Sequence, residues 1–306
     1  MHKQIKRISA LCILALALSN VQALVAQETA DLPPEEQAKQ HFNSALEYSK
    51  DPSKTLEMMA EYQLCLKSDP NYVDAYVNLG VHFFGKKNYA EAEKNFKKAV
   101  ELSPTDTTAF GNLGRTYTKL RKYDDAEKTL KSGLAVNSEF IGAHKQLGNI
   151  YYKRKRYQDA ITSFEAFTAK TTSDHTAYYV TGRSYGKLGK SAKAISALKQ
   201  SLKLKPKYIN AHNALGQIYL KQENYSKAIA AYRKSVKLKP KQSRAWYNLA
   251  IAIQSSDPEN LDGAIAAWRN TYKACKNVAR SKDLATAAQE QIAQLKKQKE
   301  NASLND

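Results

Sequence analysis

At 306 residues and 42% hydrophobic content, the chain is long enough for one large or two ordinary domains with a substantial buried core, which argues against a compositionally disordered protein. Only 12 glycines and 8 prolines argue against many strands and tight turns, while abundant Ala, Leu, Lys, Glu and Gln favour helices. A formal net charge of +19 directs attention to anionic partners.

In chain order, the first segment reads as a targeting signal. Lys3, Lys6 and Arg7 precede an uncharged apolar run over 8–18, and small residues stand at −3/−1 after either Ala23 or Ala26. This three-part layout predicts a secretory signal over 1–26, and the apolar run is too short to span a bilayer comfortably. Retention of the segment as an anchor is the alternative, and in both cases the rest of the chain is expected outside the cytoplasm, periplasmic or secreted in a bacterium. The mature chain would then hold no membrane span. Residues 27–38, "QETADLPPEEQA", read as a polar linker. Beyond the signal the chain keeps Cys65 and Cys275, near opposite ends of the remaining sequence, so no intramolecular disulfide is expected. Six scattered histidines include no pair at metal-ligand spacing, and no metal or cofactor is implied.

From Asn78 the chain repeats itself. "NLGVHFFGKKNYAEAEKNFKKAVELSP" is succeeded at 34-residue intervals by segments starting at Asn112, Gln146, Val180 and Ala214. A degenerate copy starts at Asn248 with two residues inserted in its turn, and a poorly matching one over 39–72 retains Phe42, Tyr62, Cys65 and Pro70 in register. Each copy predicts two antiparallel amphipathic helices. Gly80, Gly114, Gly148, Gly182 and Gly216 on the first helix would face the small Ala92, Ala126, Ala160, Ala194 and Ala228 on the second. Aromatics at 83, 117, 151, 185 and 219 would then fill the gap toward the next copy, mostly buried and each contributing roughly 2–3 kcal/mol. Pro70, Pro104, Pro206 and Pro240 stop second helices. Thr181 and Ser191 replace a leucine and an aromatic of the other copies, so the fourth copy is expected to be the loosest.

The pattern resembles the tetratricopeptide repeat family. One copy carries its signature as Tyr76, Leu79, Gly80, Phe83, Ala92, Phe96 and Pro104, another as Leu215, Gly216, Tyr219, Ala228, Tyr232 and Pro240. The resemblance implies an all-α, right-handed α-solenoid of about six or seven helix-turn-helix copies over 39–272, divided at 39–72, 73–106, 107–140, 141–174, 175–208, 209–242 and 243–272. A capping helix is expected over 273–299, centred on "LATAAQEQIAQLKKQ" (284–298), and a frayed tail over 300–306.

Charge is unevenly spread. Residues 27–72 carry 9 acids against 4 bases, whereas residues 107–242 carry 27 Lys/Arg against 8 Asp/Glu. The resemblance implies that the first helix of each copy lines a concave groove through its second, fifth, ninth, twelfth and thirteenth residues. Across 107–119, 141–153, 175–187 and 209–221 those helices hold seven cations, Arg115, Lys119, Lys145, Lys153, Arg183, Lys187 and Lys221, and no acid. Asn149, Tyr152, Tyr179, Asn213 and Gln217 interleave with them. Lys119, Lys153, Lys187 and Lys221 share one register position and would form a ladder. The run "YYKRKRY" at 151–157 divides accordingly: Tyr151 and Tyr157 pack, Arg154, Lys155 and Arg156 form a turn, and Tyr152 and Lys153 face the groove. A chaperone-type carboxylate clamp is incomplete: Lys145 and Asn149 match its first members, but Val180 and Ala214 stand where later polar members belong.

These features point to a non-enzymatic scaffold whose basic groove binds acidic or extended segments of partner proteins, in envelope assembly or secretion. Binding of an anionic polysaccharide in export is the alternative, and nucleic acid is not expected for an exported chain. No phosphate loop, nucleophile–base pair or metal cluster suggests catalysis.

Overall fold

The computed structural model describes residues 32–305, so the signal read at 1–26 lies outside the described residues. Within them the chain is all-helical, with fifteen α-helices and two short 3-10 turns, in two compact units.

The first unit ends at Phe140 and comprises α1 (Pro34–Ser49), α2 (Thr55–Ser68), α3 (Val73–Gly85), α4 (Tyr89–Leu102), α5 (Thr107–Lys119) and α6 (Tyr123–Val136). Helix begins at Pro34, inside the stretch expected to be a linker. Pro34 at the first helical position presets φ without forfeiting a bonded N–H, and Glu35 and Glu36 complement the helix dipole. Met58, Tyr62, Cys65, Ala75 and Leu79 form the core here, with the Phe42 ring against Tyr72 at 4.9 Å. Burial pushes the Cys65 thiol up to about 11, which leaves a packed, unreactive sulfhydryl.

The second unit starts at Ile141 and holds α7 (Ile141–Lys153), α8 (Tyr157–Lys170), α9 (His175–Lys187), α10 (Ser191–Leu204), α11 (Ile209–Lys221), α12 (Tyr225–Leu238), α13 (Ser243–Ser256), α14 (Leu261–Cys275) and α15 (Lys282–Asn305). Successive helices pack on one another, and first helices of neighbouring copies also touch, α7 on α9 and α9 on α11. The C-terminal limits differ from the expected 273–299 cap: α14 runs past the copy boundary to Cys275, α15 starts only at Lys282, and helix continues through the 300–305 stretch read as frayed. Ala288 and Leu295 of α15 are buried against Trp268 and Ile265 of α14, closing the apolar end of the stack.

Both units correct one expectation about packing. The nearest neighbour of each repeat glycine is the large residue sixteen on, which the expected pairing with the alanine twelve on did not include. A Cβ at Gly80 would sit 2.6 Å from the Phe96 ring, at Gly148 2.7 Å from Phe164, and at Gly216 2.7 Å from Tyr232. The glycine therefore provides the socket for a bulky knob, while Ala92, Ala126, Ala160, Ala194 and Ala228 are fully buried beside it. At Gly182 the alanine partner is close as well, with the Ala194 carbonyl oxygen 3.0 Å from a Cβ there. The gap-filling aromatics are less uniform than expected: Tyr117 and Tyr151 are buried, but Phe83, Tyr185 and Tyr219 are half-buried.

Candidate functional site

Each of the twelve residues expected in the groove lies on a first helix. Arg115 and Lys119 belong to α5 in the first unit; the other ten belong to the second. On α5, Arg115 donates to Asn112 Oδ1 at 3.0 Å and lies 4.5 Å from the Phe84 ring centroid, while Lys119 is exposed at the helix end.

In the second unit the best-organised group centres on Arg183. Its guanidinium lies 5.3 Å from the Tyr152 ring of α7 and 5.7 Å from the Tyr179 ring of α9, and it donates to the Tyr179 hydroxyl at 3.3 Å. Tyr157 meets Tyr152 edge-on at 5.7 Å, and Tyr208 meets Tyr179 edge-on at 5.1 Å. A chain of rings thus brackets one half-buried cation, whose planar fork has more donors than the one bond to Tyr179 uses. Burial pushes the Tyr152 phenol up, against the opposing pull of Arg183, so it stays a neutral donor at neutral pH.

Beside Arg183 opens a cavity of about 410 Å³, lined also by Lys187 and Gly186 of α9 and by Gln217, Ile218 and Lys221 of α11. Four of the sequence-predicted residues, Arg183, Lys187, Gln217 and Lys221, therefore meet at one opening. Gly186 and Ile218, which form its apolar floor, were missed. Gly186 occupies the twelfth, groove-facing position, and a Cβ there would meet Ile218 at 3.6 Å, an ordinary packing contact, so the site has room for a small side chain at this position.

The remaining predicted residues play other parts. Lys145 is not a free groove cation: its ammonium pairs with Asp174 Oδ2 at 2.6 Å and lies 5.4 Å from the Phe167 ring. Asp174 caps α9, accepting from Thr176 and Ala177 N–H groups. Burial alone would raise its carboxyl, but bonds from Lys145, Thr176 and Ala177 outweigh this and hold it at about 2. The sequence pattern placed acids outside first helices; the fold returns this one to a groove cation. Asn149 spends its amide on the Lys145 carbonyl at 2.9 Å. Asn213 has a buried Oδ1 that no described residue satisfies, a state costing roughly 1–3 kcal/mol.

Lys153, Lys187 and Lys221 are exposed and end α7, α9 and α11, as Lys119 ends α5. The shared position thus has a structural use as well, because a terminal cation complements the carbonyl end of its helix. In 151–157, Tyr151 is buried with Arg156 over its ring at 4.3 Å, Lys155 takes the left-handed turn conformation at φ 61°, and Tyr152 meets Arg183 directly with Tyr157 edge-on behind it.

A family model described as tetratricopeptide repeat matches residues 112–175, 179–243 and 214–275, and a second so described matches 83–140. The chain belongs to the tetratricopeptide repeat family. Among solved structures, the C-terminal part of a tetratricopeptide repeat-containing protein from Cytophaga hutchinsonii is 18% identical with a TM-score of 0.62, covering 81% of this chain and 98% of its own. PilF of Pseudomonas aeruginosa is 18% identical with a TM-score of 0.58, over 71% of this chain and 96% of its own. YrrB, described as a tetratricopeptide repeat protein with an unusual peptide-binding site, is 18% identical with a TM-score of 0.55, over 64% and 97%. At these identities the likeness carries the fold. No curated protein sequence matches. A tetratricopeptide repeat array is a scaffold for binding other proteins. No described helix is long and apolar enough to cross a membrane.

Proposed function

We propose that the chain is a non-catalytic adaptor of the cell envelope that binds acidic, extended segments of partner proteins at the Arg183 site. The observation that carries this reading is the arrangement of Arg183 between Tyr152 and Tyr179 at the mouth of a cavity shared with Lys187, Gln217 and Lys221. An acidic side chain entering there meets a preorganised guanidinium and two exposed lysines, while its aliphatic part rests on Gly186 and Ile218. Backbone groups of the repeats are consumed within helices, so recognition falls to side chains, as in other groove-binding modes. The field of the surrounding cations speeds encounter and filters partners by sign. A peptide ligand has a precedent in YrrB, whose structure is described as having a peptide-binding site. Export rests on the N-terminal pattern over 1–26.

The test is affinity capture from fractionated cells, followed by binding of Asp/Glu-rich peptides from the captured proteins in solution. Arg183→Glu combined with Lys187→Glu is expected to abolish peptide binding with helicity and melting nearly unchanged. Unaltered peptide binding by that double variant rejects the site.

A further inference from the structure

A second basic surface lies away from the Arg183 site, at the turns after second helices. Residues 203–207 and 237–241 both read Lys-Leu-Lys-Pro-Lys, 34 positions apart in adjacent copies. All six lysines are exposed, Leu204 is 37% exposed, and both prolines are exposed. Solvation of a turn does not require this composition. The same three lysine positions hold Glu101, Ser103 and Thr105, then Ala135, Asn137 and Glu139, then Ala169, Thr171 and Ser173 in the three preceding copies, and the degenerate 39–72 copy has one cation there, Lys67, beside Asp69 and Asn71.

Helix energetics explains only part of it. Lys203 and Lys237 lie in last turns, where a cation complements the dipole. Lys207 and Lys241 instead precede the N-termini of α11 and α13, where a cation is unfavourable. At two earlier junctions Asp106 and Asp174 cap the next helix with their side chains; here Tyr208 and Gln242 stand at the cap and, like Tyr72 earlier, give no side-chain bond. The edge gives up anionic caps and gathers lysines. Lysine, a hydrated point charge, suits attraction to a diffuse anionic surface better than forked recognition of one group.

The second tip also borders a cavity of about 490 Å³, lined by Lys241, Trp246, Asn270, Lys273, Asn277 and Val278. The indole N–H of half-buried Trp246 donates to the Pro240 carbonyl at 2.8 Å, which fixes the ring at this edge. Two ammonium groups, two amides, an indole and a valine match a phosphate with an apolar attachment. We infer that this edge docks on an anionic phospholipid bilayer, with the Lys-Leu-Lys-Pro-Lys tips at the headgroup layer and one lipid phosphate in the Trp246 cavity. A soluble polyanion would use the lysines but would have no role for exposed Leu204 or for an indole at the interface, whereas a bilayer uses both.

The test sediments the full chain with vesicles of phosphatidylcholine containing phosphatidylglycerol, and with phosphatidylcholine alone. The first 26 residues are common to every variant, so the readout is the difference between the two lipids. Lys205→Glu, Lys207→Glu, Lys239→Glu and Lys241→Glu together are expected to weaken anionic-vesicle binding ~100-fold. The Arg183→Glu/Lys187→Glu variant should keep it, which separates this surface from the proposed peptide site. Of the two tryptophans, Trp268 is buried to 2% exposure, so a blue shift of emission on vesicles reports on Trp246. Equal binding to both vesicle types, binding indifferent to the four reversals, or capture by dextran sulfate without capture by anionic vesicles overturns the inference. The last outcome would assign the edge to a polymer.

Discussion

The third copy, α7 with α8, buries Leu147, Ile150, Tyr151, Ile161, Phe164 and Phe167; the fourth, α9 with α10, buries Thr181, Ser184 and Ser201, with Leu198 its one large buried side chain. Both obey one repeat pattern, with a glycine socket at 148 or 182 and its knob sixteen residues on. What differs is the size of the other buried side chains. A cavity of about 680 Å³, lined in part by Thr168, Thr181 and Ala197, opens beside the fourth copy. The buried hydroxyls there are satisfied, Ser184 by the Val180 carbonyl at 2.8 Å and Ser201 by the His175 carbonyl at 2.7 Å, so the copy is underfilled rather than frustrated. The pattern specifies the helix pair, and the filling decides how firmly it is held. The underfilled copy is also the one that carries Arg183 and Lys187.

The largest effects should come from the knobs. Phe164→Ala is expected to cost ~3–5 kcal/mol and Leu198→Ala nearer ~2–3, because truncating the leucine removes less buried apolar volume and its neighbours are smaller. Chemical denaturation of the two variants checks this, and equal losses would erase the distinction between the copies. Next is the junction between them, where Asp174 caps α9 and holds Lys145. Its carboxyl lies at about 2 in the folded chain, below the usual value near 3.9 when unfolded. A depressed carboxylate stabilises fully above about pH 4 and loses that contribution as pH falls toward 2. After allowance for partial exposure the contribution is about 1–2 kcal/mol. Asp174→Asn should remove this step from the difference in denaturation midpoints between pH 5 and 2, leaving any other acid transition in place.

Filling the fourth copy is the direct assault on the comparison. Thr181 stands where Leu79, Leu113, Leu147 and Leu215 stand in other copies, and its side chain borders the cavity. Thr181→Leu is expected to stabilise by about 1 kcal/mol and to slow amide exchange in α9 and α10 toward the rate of α7 and α8. If exchange in the unaltered fourth copy is already slower than in its neighbours, underfilling does not loosen it.

Nearly all of the helix-pair order was legible because a 34-residue period with glycine, aromatic and proline at constant offsets leaves few alternatives. Helix limits at Pro34 and Asn305 were less so, since Pro-Pro and a polar end read as linker and tail, whereas one tolerates an N-terminus and the other continues an amphipathic face. The socket role of the glycines escaped because sequence shows small residues, not which large one they admit. For the site, register placed Arg183, Lys187, Gln217 and Lys221 together, but it could not show Lys145 taken by Asp174, an acid assigned to a turn. Gly186 went unread for the opposite reason: a groove position filled by no side chain carries no chemical signal.

The smallest expected effect lies in the turn and runs against the core. In five of the turns between paired helices one residue has positive φ, among them Lys155 at 61° in the third copy and Gly189 at 74° in the fourth. A lysine there carries a Cβ against the next carbonyl, while glycine adopts this conformation freely. The fourth copy therefore has the slacker core and the more relaxed turn. Lys155→Gly should gain up to about 1 kcal/mol, offset in part by the added freedom of the unfolded chain, and Gly189→Lys should lose about 1 kcal/mol. A Cβ at Gly189 meets nothing within 4 Å, so the loss would be conformational rather than steric. Exchanging the two residues in one chain tests whether the turns act independently of the packing. Changes that sum to the single-variant effects, with amide exchange altered only at the turns, mean that core filling and not turn strain separates the third copy from the fourth.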